Sequence, residues 1–511
     1  MATSHHVKRK KQERMKLILV GLLAVTVSLQ AQNNQSGIKE SSIFTGLEYK
    51  IESAANVGNG DHSPLWLNAN KQGLSSINKD NAYVAAGIFK PMSSNKFAYS
   101  YGLELAGANH FTSDVFVQQA YLDLKYRKIQ LSIGSKERNG ELVNQKLSSG
   151  GLAFSGNALP IPQIRVEFPK YITVPYTNNW LSVKGHVAYG WFTDGNWQKS
   201  FTGAAGDRTS SVLYHSKEIF FKVERPDLLP LRFEFGLGME AQFGGVRHYH
   251  GGSKFSMPEG FKDYIKALIP MHGGATAPES DQENIEGNML GSYHFSLSYK
   301  VNNWEIRPYY EHYFEDQSML SMKYKWRDGL IGLELTFPKN KFVSSMVAEY
   351  FGSMDQSGLL YRKDKNGNTY IHMAGNDNYY NNGFYISWTH WGMAIGNPLF
   401  MSPIYNKDHS LSFRSNRMTA RHLGISGNPT SELSYRLLLS YTRNWGTYNY
   451  PYYDANSKPT VKANTSTLFE LTFSPHKMRG WSFATSGATD CGSVYGKNKG
   501  VMLTVRKVGI I

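Results

Sequence analysis

Residues 231–244 read LRFEFGLGMEAQFG, and no other stretch limits the possible folds as sharply. Leu231, Phe233, Phe235, Leu237, Met239, Ala241 and Phe243 fall on one parity, and Arg232, Glu234, Gly236, Gly238, Glu240 and Gln242 on the other. Period two is the signature of a β-strand with one apolar and one polar face. A strand of a soluble sandwich runs about five or six residues, whereas a tilted strand needs about 9–11 to cross a bilayer. This run has the longer length, and its polar parity holds charges and glycines rather than side chains that pack a core. Lipid outside and water inside is the reading that fits, as in a transmembrane β-barrel. One long strand of a soluble barrel is the alternative.

The mean hydropathy of −0.42 excludes a polytopic helical membrane protein, which needs runs of about 20 apolar residues. It leaves a barrel open, because alternation averages out in any hydropathy sum. The chain has 511 residues and a single cysteine, Cys491, so no internal disulfide holds it together. Closed sheet hydrogen bonding in a bilayer supplies another means. Lys8, Arg9, Lys10, Lys11, Arg14 and Lys16 precede an apolar run, Leu17–Leu29, and small residues up to Ala31. This pattern predicts a secretory signal over residues 1–31, cleaved after Ala31. The 13-residue apolar run is too short for a span, and Met15 is an alternative start. Residues 32–511 are then expected to form a single exported barrel domain in the cell outer membrane. The formal charge of +15 points to anionic partners, either lipid and lipopolysaccharide phosphates or an acidic glycan. No nucleic-acid partner is expected, since no such motif is present, and the chain is expected to act as a monomer.

Alternating or apolar segments recur from Phe44–Glu52 to Val501–Val508, about twenty in all. They include Gly383–Trp391 and a pair within Leu411–Ile425. Even strand numbers are usual for single-chain bacterial barrels, so the expected fold is an all-β antiparallel transmembrane barrel of about 18 strands (18–20). Short connections such as 126–128, 225–230 and 302–303 alternate with long ones at 136–160, 192–211, 244–290, 352–382, 444–466 and 486–500. That alternation predicts short periplasmic turns and long extracellular loops. Within the longest loop, KDYIKALIP has apolar residues near helical spacing. It predicts a short helix that folds into the lumen or caps the mouth.

No catalytic constellation is visible: there is no G-x-S-x-G, H-E-x-x-H, P-loop or paired cysteine. No enzyme activity, cofactor or metal is therefore expected. His248 and His250 have a two-residue spacing but no further ligands in view. A Ser–His or Asp–His pair at the rim keeps a hydrolase as a minor alternative, and the polar inward parity keeps a channel or porin as another. Aromatic and polar mixtures suit sugar binding, because rings stack on pyranose faces while Asn, Asp, Arg and His bond hydroxyls and carboxylates. Asp377–Trp391, DNYYNNGFYISWTHW, has that composition. The same rings equally suit the aromatic girdle of a membrane interface. Arg307, Glu311, Arg414, Arg417, Arg421 and His422 are expected to line the lumen or rim, either bracing the barrel or contacting a ligand. The candidate glycan contacts are Arg138, Arg247, His248, Tyr380, Trp388, His390, Trp391, Arg417, Arg421 and His422.

LSSGGLAFSGNALPIP (Leu147–Pro162) resembles the G-x-L-x-x-S-x-N-A-x-P-I-P segment of Wzi-type capsule assembly proteins. SPLWLNANKQGL (Ser63–Leu74), GNMLGSYHF (Gly287–Phe295), YYNNGFYISWTHWGMAIGNPLF (Tyr379–Phe400) and SNRMTARHLGISG (Ser415–Gly427) are similar to segments of its Bacteroidetes-type branch. The resemblance covers nearly all of residues 32–511. It implies an outer-membrane barrel of about eighteen strands that acts as a lectin, binding capsular or extracellular polysaccharide at the cell surface. Two departures stand out. The helical bundle that precedes the barrel in enterobacterial relatives has no counterpart here, since the strand pattern begins by Phe44. Their Arg-Trp-Trp-Gly-Pro run is replaced by Lys136-Glu137-Arg138-Asn139-Gly140-Glu141.

Overall fold

The computed structural model describes residues 46–203, 206–269, 287–315, 327–356, 358–363, 366–374 and 378–511. The expected signal peptide and Asp377 lie outside the described residues. Eighteen antiparallel strands form one sheet. In chain order they are β1 Glu48–Asn59, β2 Asn81–Lys90, β3 Phe97–Asn109, β4 Val115–Tyr126, β5 Ile129–Ser135, β6 Gln163–Thr173, β7 Leu181–Trp191, β8 Leu213–Glu224 and β9 Leu231–Phe243. The second half runs β10 Asn288–Val301, β11 Trp304–Glu315, β12 Gly329–Thr336, β13 Ser345–Gly352, β14 Met418–Gly427, β15 Leu433–Asn444, β16 Lys462–Phe473, β17 Trp481–Gly492 and β18 Lys497–Ile510. Each pairs with its neighbour in sequence, and β1 pairs with β18 from Glu48↔Ile510 to Asn59↔Lys499. That last pairing closes the barrel and leaves no open edge, which a bilayer requires.

The alternation read in residues 231–243 sets the wall. Leu231 and Phe233 are exposed on the outer face, while Glu234, Glu240 and Gln242 are buried on the inner one. Outward rows elsewhere repeat the pattern, as with Leu103, Val166, Ile219, Leu297, Leu439 and Leu503, all exposed. Aromatic side chains flank this apolar band at both ends of the strands. Trp191, Tyr350 and Tyr441 lie at one end, and Phe97, Tyr126, Trp304 and Phe473 at the other, again all exposed. Rings of this kind sit at the headgroup level of a membrane.

Both ends of the sheet, Glu48 and Ile510, lie on the side of the short turns, which are 91–96, 127–128, 174–180, 225–230, 302–303, 337–344, 428–432 and 474–480. The opposite side carries the long connections. Two segments expected to be strands do not join the wall. Gly383–Trp391 and the first half of Leu411–Ile425 run inside it instead, so the wall has eighteen strands and not twenty. The expected long loop 486–500 is a tight turn, 493–496, because β17 and β18 extend further than their apolar residues alone indicate.

The predicted helix exists as Phe261–Leu268, but not where it was expected. It packs on β8 and β9 through Tyr264, whose ring lies 5.3 Å from Tyr189 and 5.0 Å from Phe243. Both partners belong to outward-facing rows, so the helix lies on the outer surface of the wall, not in the lumen or over the mouth.

Candidate functional site

Three long connections turn into the barrel and fill it: residues 60–80, 136–162 and the 378–417 part of the connection from β13 to β14. Their apolar side chains, among them Trp66, Leu67, Leu147, Leu152, Tyr380, Trp388, Phe400 and Phe413, make one buried core with inward residues of the wall. Carboxylates on the inner face hold this plug by its backbone. The Glu311 carboxylate accepts from the N–H groups of Leu152 (2.8 Å) and Ala153 (3.3 Å) and from the Ser292 hydroxyl (2.7 Å). Glu349 accepts from Ser149 N–H at 2.8 Å and the Ser148 hydroxyl at 2.5 Å. Glu315 accepts from Tyr380 N–H at 2.6 Å, and Asp490 from Leu65 N–H at 3.0 Å. A buried N–H without a partner is costly, so these acids let irregular loops run through the interior. Cross-braces join the loops to each other. Asn157 donates to the Ala394 carbonyl at 2.9 Å and Asn397 to that of Gly150 at 2.6 Å. At Gly396 a Cβ would stand 2.0 Å from the Leu152 carbonyl oxygen, so only glycine permits the crossing.

This arrangement corrects much of the expected site. Tyr380, Trp388, His390 and His422 are buried in the plug or against it and face no solvent. The described part of the Asp377–Trp391 stretch, residues 378–391, is therefore mainly packing rather than membrane girdle or glycan surface. The His422 ring bonds the Leu147 carbonyl and the Ser440 hydroxyl, both at 2.7 Å. Arg421 is exposed on the outward parity of β14, between Tyr350 and Tyr441 in register, so it faces away from the lumen. Arg247 is buried in a small sheet of Arg208–Ser210, Val246–His248 and Lys254–Ser256, where it pairs with Asp207 at 3.2 Å. His248 meets the Ser210 hydroxyl at 2.8 Å, and among the described residues no carboxylate bonds its other ring nitrogen. Arg138 starts the 136–162 connection, donating to Ser132 at 3.0 Å, and burial pulls its pKa down to about 10. Arg417 lies over the Tyr448 ring at 3.8 Å near the mouth. Arg307 pairs with Glu334 and donates to the Leu142 carbonyl, a bracing role.

Of the ten candidates, Trp391 alone presents a part-exposed ring to the main opening. It lines a cavity of about 330 Å³ at the extracellular mouth with Trp197, Phe201, Phe111, His62 and Lys407. The helix Gly195–Thr202 supplies Trp197 and Phe201 one turn apart, so their rings stack at 5.0 Å and 18°. Gly392 makes room for Trp197: its φ is +76°, and a Cβ there would sit 2.3 Å from the indole. The Trp391 amide donates to Asp194 at 2.9 Å and its indole to Thr193 at 3.2 Å. Under the cavity, His390 bonds the Leu159 carbonyl through Nδ1 (2.7 Å) and Thr193 through Nε2 (3.0 Å), and burial holds its pKa below the usual 6.5. A neighbouring hollow of about 500 Å³ shares His62, Tyr405 and Lys407 and adds Arg414 and Asp408, which pair with each other. Sequence reasoning missed Trp197, Phe201, Phe111 and Lys407. The paired aromatics in GNWQKSF were a usable signal, but nothing local tied them to Trp391.

A closed wall with lipid-facing rows outside and a plugged interior defines a membrane β-barrel whose exposed chemistry lies at its outer mouth. The chain belongs to the capsule assembly protein Wzi family, whose profile matches residues 61–488, and the protein is a barrel of the outer membrane. Among solved structures it is similar to Wzi of Escherichia coli, described as an outer membrane protein involved in group 1 capsule assembly and a carbohydrate-binding β-barrel. The TM-score is 0.55 at 11% identity, covering 90% of this chain and 83% of that one. OccAB4 of Acinetobacter baumannii (TM-score 0.45, 10% identity, 92% and 100% covered) and OprD of Pseudomonas aeruginosa (0.44, 8%, 92% and 97%) also match. No curated protein matches.

Proposed function

We propose that this protein binds capsular or extracellular polysaccharide at the cell surface without transforming it, and so retains the polymer on the cell. The observation that carries the reading is the aromatic hollow over a closed lumen. Trp197, Phe201 and Trp391 offer ring faces for sugars, and Lys407 and His62 stand at the edge for hydroxyls and carboxylates. Stacking and charge-assisted hydrogen bonds together suit an acidic glycan. Membership of a capsule assembly family and the fold shared with a carbohydrate-binding barrel support the same reading. The protein acts as a monomer after export and removal of residues 1–31. Deleting the gene tests it: polysaccharide should appear in the medium while synthesis continues. Unchanged retention on the cell would overturn the proposal. The channel alternative rested on a polar inward face, and that face here holds the plug.

A further inference from the structure

The helix Phe261–Leu268 has three sides. At about 100° per residue, Tyr264 and Ala267 share the side against the wall. Phe261, Ile265 and Leu268 share a second. Lys262, Asp263 and Lys266 lie on the remaining arc. The wall side is fastened: the Tyr189 hydroxyl donates to the Tyr264 carbonyl at 2.7 Å, and the Lys217 ammonium donates to the Ala267 carbonyl at 2.8 Å. Lys217 belongs to the outward row of β8, so this bond gives a cation on the lipid side a partner. At the other end Asp263 accepts from Gly260 N–H at 2.7 Å, closing the first turn. Among the described residues the second side has no cover: Phe261 is 81% exposed, Ile265 39% and the following Ile269 57%.

We propose that this helix is an in-plane element that rides in the outer leaflet beside the barrel, with lipopolysaccharide as its partner. Phe261, Ile265 and Leu268 enter the acyl chains, and Lys262 meets the phosphates. Two observations set the occupant. The helix is docked on Tyr189, two residues before the exposed Trp191 that ends β7, and outward aromatics at a strand end mark the headgroup level. The strands that carry it turn Val187 and Ile219, both exposed, to the lipid two residues along from Tyr189 and Lys217. An amphipathic helix with cations beside its apolar face is suited to that boundary.

The test uses the full chain with Cys491→Ser, reconstituted in vesicles of phosphatidylethanolamine and lipopolysaccharide. A fluorophore is attached at Ile265→Cys or Phe261→Cys. Leu439→Cys on the wall serves as the lipid reference and Asn456→Cys in an exposed loop as the water reference. Quenching by nitroxide-labelled acyl chains should exceed quenching by aqueous iodide several-fold at 261 and 265, as at the wall. Heat-modifiable migration confirms that each variant is a folded barrel. A probe at 265 that behaves like the one at 456 overturns the proposal, whatever the outcome for polysaccharide binding.

Discussion

The indole N–H of Trp388 donates to the carbonyl of Ala153 at 2.8 Å, deep inside the barrel and across 235 residues of sequence. The bond joins two of the three inward connections at the centre of the plug, and Trp388 is among the largest fully buried side chains. Truncating a buried aromatic to alanine costs about 3–5 kcal/mol. Trp388→Ala should therefore leave the wall folded but loosen the plug. In planar bilayers the wild type should pass little current and the variant should show openings.

Glu311 bears on the same plug from the wall side. Glu311→Ala removes the acceptor of two backbone N–H groups and one hydroxyl. Each buried donor left unpaired costs about 1–3 kcal/mol. Hydrogen exchange at Leu152 and Ala153 should quicken by orders of magnitude while amides of β11 stay protected.

Binding should depend on the mouth rings and not on the buried ones. Trp197→Ala and Trp391→Ala should each weaken binding of the host polysaccharide about tenfold, roughly 1.4 kcal/mol. Arg421→Ala should leave binding unchanged, because its side chain faces outward. Titration calorimetry or an immobilised-glycan assay reads the difference.

Gly392→Ala should act through Trp197. A methyl group at φ +76° and 2.3 Å from the indole drives the ring from its stack with Phe201. Glycan affinity should fall with no change in barrel migration on gels.

His390 makes the mouth acid-sensitive. Its Nδ1–H donates to the Leu159 carbonyl, so its Nε2 must accept from Thr193, which requires the neutral ring. Burial depresses its pKa from the usual 6.5. A depressed value in the folded state means that stability is full above about pH 6.5 and is lost as pH falls toward the folded pKa, because the unfolded chain takes up the proton first. Fluorescence of the mouth tryptophans should report loosening on acidification, and His390→Gln should flatten that dependence.

The wall was legible because its rule is local. The period-two run at 231–243 matches β9 from end to end, and its two parities take the lipid and lumen sides as read. The plug was not legible, because its reason is distant: Tyr380 and Trp388 are rich in sugar-binding chemistry taken singly, and only Leu152, Glu315 and Ala153 elsewhere in the chain decide that they are packing. Gly383–Trp391 read as a strand for the same cause, since a buried irregular segment is as apolar as a wall strand. The helix at 261–268 was legible as a helix, but its spacing does not say which surface it covers. Among the residues on which the family resemblance rests, Ser63–Leu74, Leu147–Pro162 and Tyr379–Phe400 all turned out to lie in the plug.

Each of the three inward connections is anchored at both ends by strands of the wall. The stopper therefore has no free end to withdraw and no single hinge to swing on. Ejecting it means moving three separately tethered loops together, against carboxylates that grip each one. A polymer seated at the outer mouth thus meets a floor rather than a gate, and stays on the side where it arrived.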